Sequence, residues 1–158
     1  MRAILIAVGA NLPAADGATP LVTCRAAVEA LRGLPGLRVV GVSSCYRTAP
    51  VPASDQPDYV NCVVRLAGHA EPASLLARLQ AIEQAAGRTR GAANAARTLD
   101  LDIIAMDDLV RDAPDPILPH PRAHLRRFVL CPLAEIAPDW VHPRLGTPLF
   151  VLLANAPD

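Results

Sequence analysis

Residues 98–105 read Thr-Leu-Asp-Leu-Asp-Ile-Ile-Ala. Leu99, Leu101 and Ile103 alternate with Asp100 and Asp102, and a period of two marks a strand with one face in a core. The stretch 59–66, Tyr-Val-Asn-Cys-Val-Val-Arg-Leu, has the same form. Val60, Cys62, Val64 and Leu66 fall on one side, and Tyr59, Asn61, Val63 and Arg65 on the other. Ile4, Ile6 and Val8, closed by Gly9-Ala10-Asn11, make a further strand, and 37–44 another. Two helices lie between these strands. Thr19-Pro20 offers a hydroxyl N-cap with proline at N1, Leu21, Cys24, Val28 and Leu31 form a stripe, and Gly33 ends the helix. Pro72 opens the second, with Leu75, Leu76, Leu79, Ile82 and Ala86 as its stripe and Gly87 as its stop.

The order strand, helix, strand, strand, helix, strand predicts an α+β fold of ferredoxin-like βαββαβ type, an antiparallel sheet with both helices on one face. A C-terminal strand and helix extension follows: a short segment at 117–118, a helix over 129–136 stopped by Pro138, and a last helix from Thr147-Pro148 to Leu153. The proline-rich stretch 45–58 reads as an ordered loop. No repeat or linker interrupts the chain, so residues 1–158 are expected to form one domain. The apolar sides of both alternating strands must meet the helices. Tyr59, Asn61, Asp100 and Asp102 therefore share the opposite face, expected to be free.

Composition narrows the function. Of 158 residues, 52% are hydrophobic and 19% charged, enough for a real core. Fifteen basic side chains balance fifteen acidic ones, whereas a general nucleic-acid binder needs a basic excess. One Trp, two Tyr and two Phe are too few for a single-strand stacking platform. Every base is Arg, so no lysine can form a Schiff base or a P-loop contact. No apolar run reaches the roughly 20 residues of a membrane helix, and residues 3–8 read as a strand rather than a leader. Cys24, Cys45, Cys62 and Cys131 have no paired spacing and read as buried free thiols of a cytosolic protein.

Three clusters carry chemistry. Asp100 and Asp102 point the same way, roughly 6.5–7 Å apart, and repel each other unless a cation lies beside them. A solvated pair is the plain alternative; hard Mg²⁺ with phosphates is the functional one. The stretch 87–97 carries Arg88, Arg90 and Arg97 among small residues. It suits either a solvated connection or a clamp in which guanidinium groups bind phosphate bidentately. His120, fixed between Pro119 and Pro121, precedes Arg122, Arg126, Arg127 and Phe128; it serves structure or a phosphate contact. Gln80 and Glu83 lie on the polar side of the second helix. No P-loop, kinase signature, serine elbow or paired C-x-x-C is present.

Six motifs in order then resemble one family. They are Ala7-Val-Gly-Ala-Asn-Leu12, Ser43-Ser-Cys-Tyr-Arg-Thr48, Asp55-Gln-Pro-Asp-Tyr-Val-Asn61, Ile82-Glu83 with Gly87-Arg88-x-Arg90, Arg97-Thr-Leu-Asp-Leu-Asp-Ile103, and Leu118-Pro-His-Pro-Arg122 leading to Phe128-Val-Leu and Pro132-Leu-Ala-Glu-Ile136. Nearly end to end, the chain resembles the 6-hydroxymethyl-7,8-dihydropterin pyrophosphokinases of folate biosynthesis. The resemblance implies transfer of the β,γ-diphosphoryl group of ATP to the pterin hydroxymethyl oxygen, releasing AMP. It implies that Asp100 and Asp102 hold two Mg²⁺ ions. Arg88, Arg97, Arg90, Arg126 and His120 would meet phosphate oxygens. Thr48, Tyr59, Asn61 and Phe128 would form the pterin slot, with Gln80, Glu83 and Ile103 near the nucleotide. Ala95-Ala96 stands where the family carries Gly-Pro before the arginine. The expected protein is a cytoplasmic monomer whose partners are ATP and a dihydropterin alcohol, not nucleic acid or membrane. The rivals are a paralogue on a related pterin alcohol and a non-catalytic ferredoxin-like binding module; the Asp pair argues against the latter.

Overall fold

Ile4, Ile6 and Val8 on one side of the first strand and Leu5 on the other are all buried, which marks it as central. In the computed structural model, which describes residues 2–11, 17–49, 58–87 and 98–157, this strand is β1 (Arg2–Ala10). It pairs antiparallel with β4 (Tyr59–Gly68) on one side and β5 (Asp100–Met106) on the other. The outer side of β4 takes β2 (Leu37–Val42), giving the order β2-β4-β1-β5.

Helix α1 (Pro20–Arg32) begins as its sequence dictates. The Thr19 hydroxyl accepts from the Val22 N–H at 3.3 Å, Pro20 fills the first turn, and Gly33 closes the helix on Ala30. Helix α2 (Pro72–Ala85) opens on proline too. Helix α1 packs on β1, β4 and β2, and α2 on β5. Leu31, Leu75 and Leu79 meet Ile4, Ile6, Cys62, Leu66 and Leu101 in the main core. The expected pair of helices on one face is observed.

Three expectations change. Within 45–58, the residues Tyr46–Thr48 form a strand, β3, pairing with β4. Three residues are too few to show a period in sequence, and the pairing is supplied by β4. Second, the far face of the sheet is not free. Helices α3 (Arg127–Ile136) and α4 (Leu149–Asn155) cover half of it, with Leu130, Leu133 and Leu149 packed on Leu5, Val63 and Ile104. A bulge opposite Leu5 and Ile6 turns both Ile104 and Ala105 into this second core. Third, Cys24 and Cys62 are buried but Cys45 is exposed and Cys131 half-buried: Cys45 lies between β2 and β3, outside either core.

Candidate active site

The sheet register builds the site. Thr48 lies opposite Tyr59 and Tyr46 opposite Asn61 across β3 and β4. Asn61 lies opposite Gly9, and Gly9 opposite Asp100. Ala7 joins Val63 to Asp102 one row along. Directly opposed residues share a face, so Tyr46, Thr48, Tyr59, Asn61, Gly9, Asp100 and Asp102 lie together on the face opposite α1 and α2, next to the core that α3 and α4 cover. Asn61, Gly9, Asp100 and Asp102 are half-exposed there, and Tyr59 is exposed.

Gly9 is the keystone that sequence reasoning left without a role. A Cβ on it would sit 2.8 Å from Asn61 Oδ1, so the Asn61 amide lies over the bare backbone. Two strand spacings separate Asn61 from Asp100, about 10 Å, with no side chain between them on the middle strand. The result is a shallow cradle with an amide at one end and a carboxylate at the other.

Strand β3 owes its position to α3. Glu135 accepts from the Ser44 N–H at 3.0 Å, from the Ser44 hydroxyl at 2.9 Å and from the Tyr46 hydroxyl. The Tyr46 contact and the Ser44 N–H hold the Glu135 carboxyl below its usual range, and the same carboxylate pushes the Tyr46 phenol up to about 12. Ser43 completes the junction: its N–H donates to Val63 O and its hydroxyl accepts from the Val63 N–H, at 2.9 and 2.8 Å.

Strand β5 is held from behind. Glu83, expected on the polar side of its helix, is 2% exposed, and its Oε2 accepts from the Leu101 N–H at 2.8 Å. Leu101 lies between the two aspartates, so Glu83 positions the pair through the backbone. The signal was legible: Leu75, Leu79 and Glu83 repeat every four residues along the buried stripe. Gln80 is exposed on the same helix. Ile103 points into the main core, 4% exposed, because alternation from Asp102 puts it on the helix side. It does not share the face of the aspartates.

His120 closes the other side. Its N–H donates to Ile104 O at 2.8 Å, and its Nδ1 accepts from the Arg122 N–H at 3.1 Å, leaving the proton on Nε2. Burial first, then Arg126 and Arg122, push its pKa down to about 4 against the pull of Asp100. The ring is therefore a neutral N–H donor at physiological pH. Arg126 lies with its guanidinium carbon 5.6 Å from the centre of the Phe128 ring. Arg88, Arg90 and Arg97 lie outside the described residues.

Among the described residues no group of three or more His, Cys, Asp or Glu forms a metal cage. Two carboxylates of an i, i+2 pair are nonetheless a fitting donor set for Mg²⁺, which typically takes one or two carboxylates together with substrate phosphates and water. Carboxylates, a neutral N–H donor and an arginine at one end, with a flat polar cradle at the other, are the parts of a group-transfer enzyme for phosphorylated substrates.

The family model described as 7,8-dihydro-6-hydroxymethylpterin-pyrophosphokinase matches residues 5–138, and the chain belongs to that family. It is 40% identical over 157 residues to a 2-amino-4-hydroxy-6-hydroxymethyldihydropteridine pyrophosphokinase of Pseudomonas aeruginosa, covering 99% of this chain and 93% of that one. A protein of the same name from Haemophilus influenzae is 40% identical over 138 residues, covering 87% of this chain and 83% of that one. Among solved structures it is similar to the Plasmodium falciparum HPPK-DHPS wild type with STZ-DHP, with a TM-score of 0.74 at 12% identity. That likeness spans 97% of this chain and 43% of the longer one, and concerns the fold.

Proposed function

We propose that the chain transfers the β,γ-diphosphoryl group of ATP to the hydroxymethyl group of 6-hydroxymethyl-7,8-dihydropterin, giving the pterin diphosphate and AMP in folate biosynthesis. Family membership supports the reaction, and the row Asn61–Gly9–Asp100 is the observation that carries the assignment of residues. The architecture is read as ferredoxin-like βαββαβ with a C-terminal extension, the whole acting as one monomeric domain. The strand order β2-β4-β1-β5, with β3 as an added edge piece, supports that reading. Among the described residues no helix is long and apolar enough to cross a membrane.

The pterin lies in the cradle over Gly9. Asn61 bonds its polar edge, Tyr59 and Phe128 supply ring faces, and Thr48 closes the end. A planar heterocycle suits a slot with no side chain in its floor, since any Cβ there would lift it away from Asn61. Asp100 and Asp102 would hold two Mg²⁺ ions, which when bound would supply neutralisation of the triphosphate charge. His120 donates a hydrogen bond from its Nε2–H to a phosphate oxygen without adding a charge, and Arg126 adds a positive one. Arg88, Arg90 and Arg97 serve the same anion from the stretch that precedes Asp100, and Gln80 serves the nucleoside end; Ile103, buried in the main core, supports β5 from behind instead. Glu83 acts on β5 rather than on the nucleotide.

The pterin hydroxymethyl oxygen bonds to the β-phosphorus as the bond from that phosphorus to the α,β-bridging oxygen breaks; AMP leaves and the hydroxyl proton passes to water. Such a transfer needs alignment and charge neutralisation more than covalent help. Incubation with ATP, Mg²⁺ and the dihydropterin alcohol is expected to yield AMP. ADP as the sole nucleotide product would overturn the reading.

A further inference from the structure

Between β2 and β3 the chain holds one residue more than the strand it faces. At one end Ser43 donates its N–H to Val63 O at 2.9 Å, and at the other Tyr46 lies opposite Asn61. Ser44 and Cys45 fill the interval on this side and Cys62 alone fills it on β4, so the two form a bulge opposite Cys62. The hydroxyls of Ser44 and Tyr46 both reach Glu135 on α3. Cys45, between them, therefore projects to the other side of the sheet, toward α1. Cys62 projects the same way and packs with Cys24 of α1 in the main core.

The two thiols meet there. Cys62 donates its S–H to the Cys45 sulfur, and burial first, then the neighbouring Cys24 and Cys45, push the Cys62 thiol well above its ordinary range. Opposed residues of antiparallel strands have Cα atoms about 4.5–5.5 Å apart, within the roughly 4.4–6.8 Å that a disulfide spans. Access differs between the two: Cys45 is exposed, whereas Cys62 is 1% exposed. Cys24 directs its S–H at Val60 O, 3.6 Å away, and Cys131 belongs to α3 on the opposite side of the sheet.

We propose that Cys45 and Cys62 form an oxidation site for hydrogen peroxide, with Cys45 as the point of attack and Cys62 as its partner in a reversible disulfide. The Cys45 thiolate attacks the peroxide; an S–O bond forms, the O–O bond breaks, and the hydroxide released takes up the proton that the thiol gave to water. The Cys62 sulfur then attacks Cys45. The S–S bond forms, the S–O bond breaks, and the leaving hydroxyl departs as water with the Cys62 proton. Two thiols lose two electrons, and one peroxide becomes two waters. Cys62 keeps its proton until that second step, so it does not react with peroxide itself. The bond ties β3 to β4 one residue from Tyr46 and Asn61, at one end of the proposed cradle.

The test treats the full chain with hydrogen peroxide, alkylates the remaining thiols and maps the peptides. Two of the four thiols are expected to be lost and found joined as Cys45–Cys62, and dithiothreitol should return both. Amide exchange at 46–48 should be slower in the oxidised form. Cys62→Ala should instead hold Cys45 as a sulfenic acid that dimedone traps and that oxidises onward to the sulfinic acid. Cys45→Ser should give no linkage, and Cys131→Ser should leave it intact. A bond from Cys45 to Cys24, to Cys131 or to a second chain, or sulfinic acid at Cys45 as quickly in the unaltered protein as in Cys62→Ala, would overturn the proposal.

Discussion

At the scale of single residues, Gly9 and His120 decide most. Gly9→Ala would bring a Cβ to 2.8 Å from Asn61 Oδ1, closer than such carbons approach, so the amide must swing away. The expected outcome is a folded protein whose pterin affinity falls by about tenfold or more, the worth of one misaligned polar contact. Gly41 is the control: a Cβ there meets Ile136 at an ordinary 3.5 Å. Gly41→Ala should keep full pterin affinity in the same calorimetric titration, and equal losses in both variants would remove Gly9 from the cradle. His120 makes a pH prediction. Its folded pKa of about 4 lies below the ordinary value of 6.5, so the unfolded chain binds the extra proton between those limits. Stability should therefore rise with pH from about 4 to 6.5 and owe nothing to His120 above that window. An NMR titration of the ring should find it neutral at pH 6 and protonated only near pH 4; a midpoint near 6.5 would contradict the buried, arginine-flanked setting.

At the scale of elements, two strands depend on side chains from other layers. β5 depends on Glu83, and β3 on Glu135. Glu83→Leu removes the acceptor of the Leu101 N–H and leaves that donor buried; about 1–3 kcal/mol of stability should be lost in urea unfolding. Glu135→Ala, at an exposed helix position, should cost less stability but loosen Tyr46–Thr48 and weaken pterin binding, with nucleotide binding unchanged. An Mg²⁺-nucleotide affinity lost in step would show that β3 belongs to the nucleotide end. These tethers also mark how far the sequence could be read. The helices were legible because Thr19-Pro20, Pro72 and Gly33 are local signals. The strands with Tyr59, Asn61, Asp100 and Asp102 were legible because alternation needs only one face in a core. β3 was not, since its three residues take their conformation from β4. Glu83 was misread because charge was weighed above its place on the stripe with Leu75 and Leu79. The cover on the far face escaped notice because nothing in 127–155 states which surface those helices meet.

At the scale of the whole molecule, the sheet has two working faces divided between stability and chemistry. One carries α1 and α2 over the main core. The other is half second core, under α3 and α4, and half the proposed active site. β1 runs through all of this: Ile4, Ile6 and Val8 face one core, Leu5 the second, and Gly9 the cradle. The central claim is that the row from Asn61 to Asp100 divides the two substrates, pterin at the amide and Mg²⁺-triphosphate at the carboxylates. Calorimetry on Asn61→Ala and Asp102→Asn, each titrated with the dihydropterin alcohol and with a non-hydrolysable ATP analogue plus Mg²⁺, tests it directly. Asn61→Ala should lose about 1–3 kcal/mol of pterin binding and keep its nucleotide affinity. Asp102→Asn should lose Mg²⁺-nucleotide affinity and keep its pterin affinity. Losses that appear in both ligands for either variant, or that appear the other way round, would contradict the account.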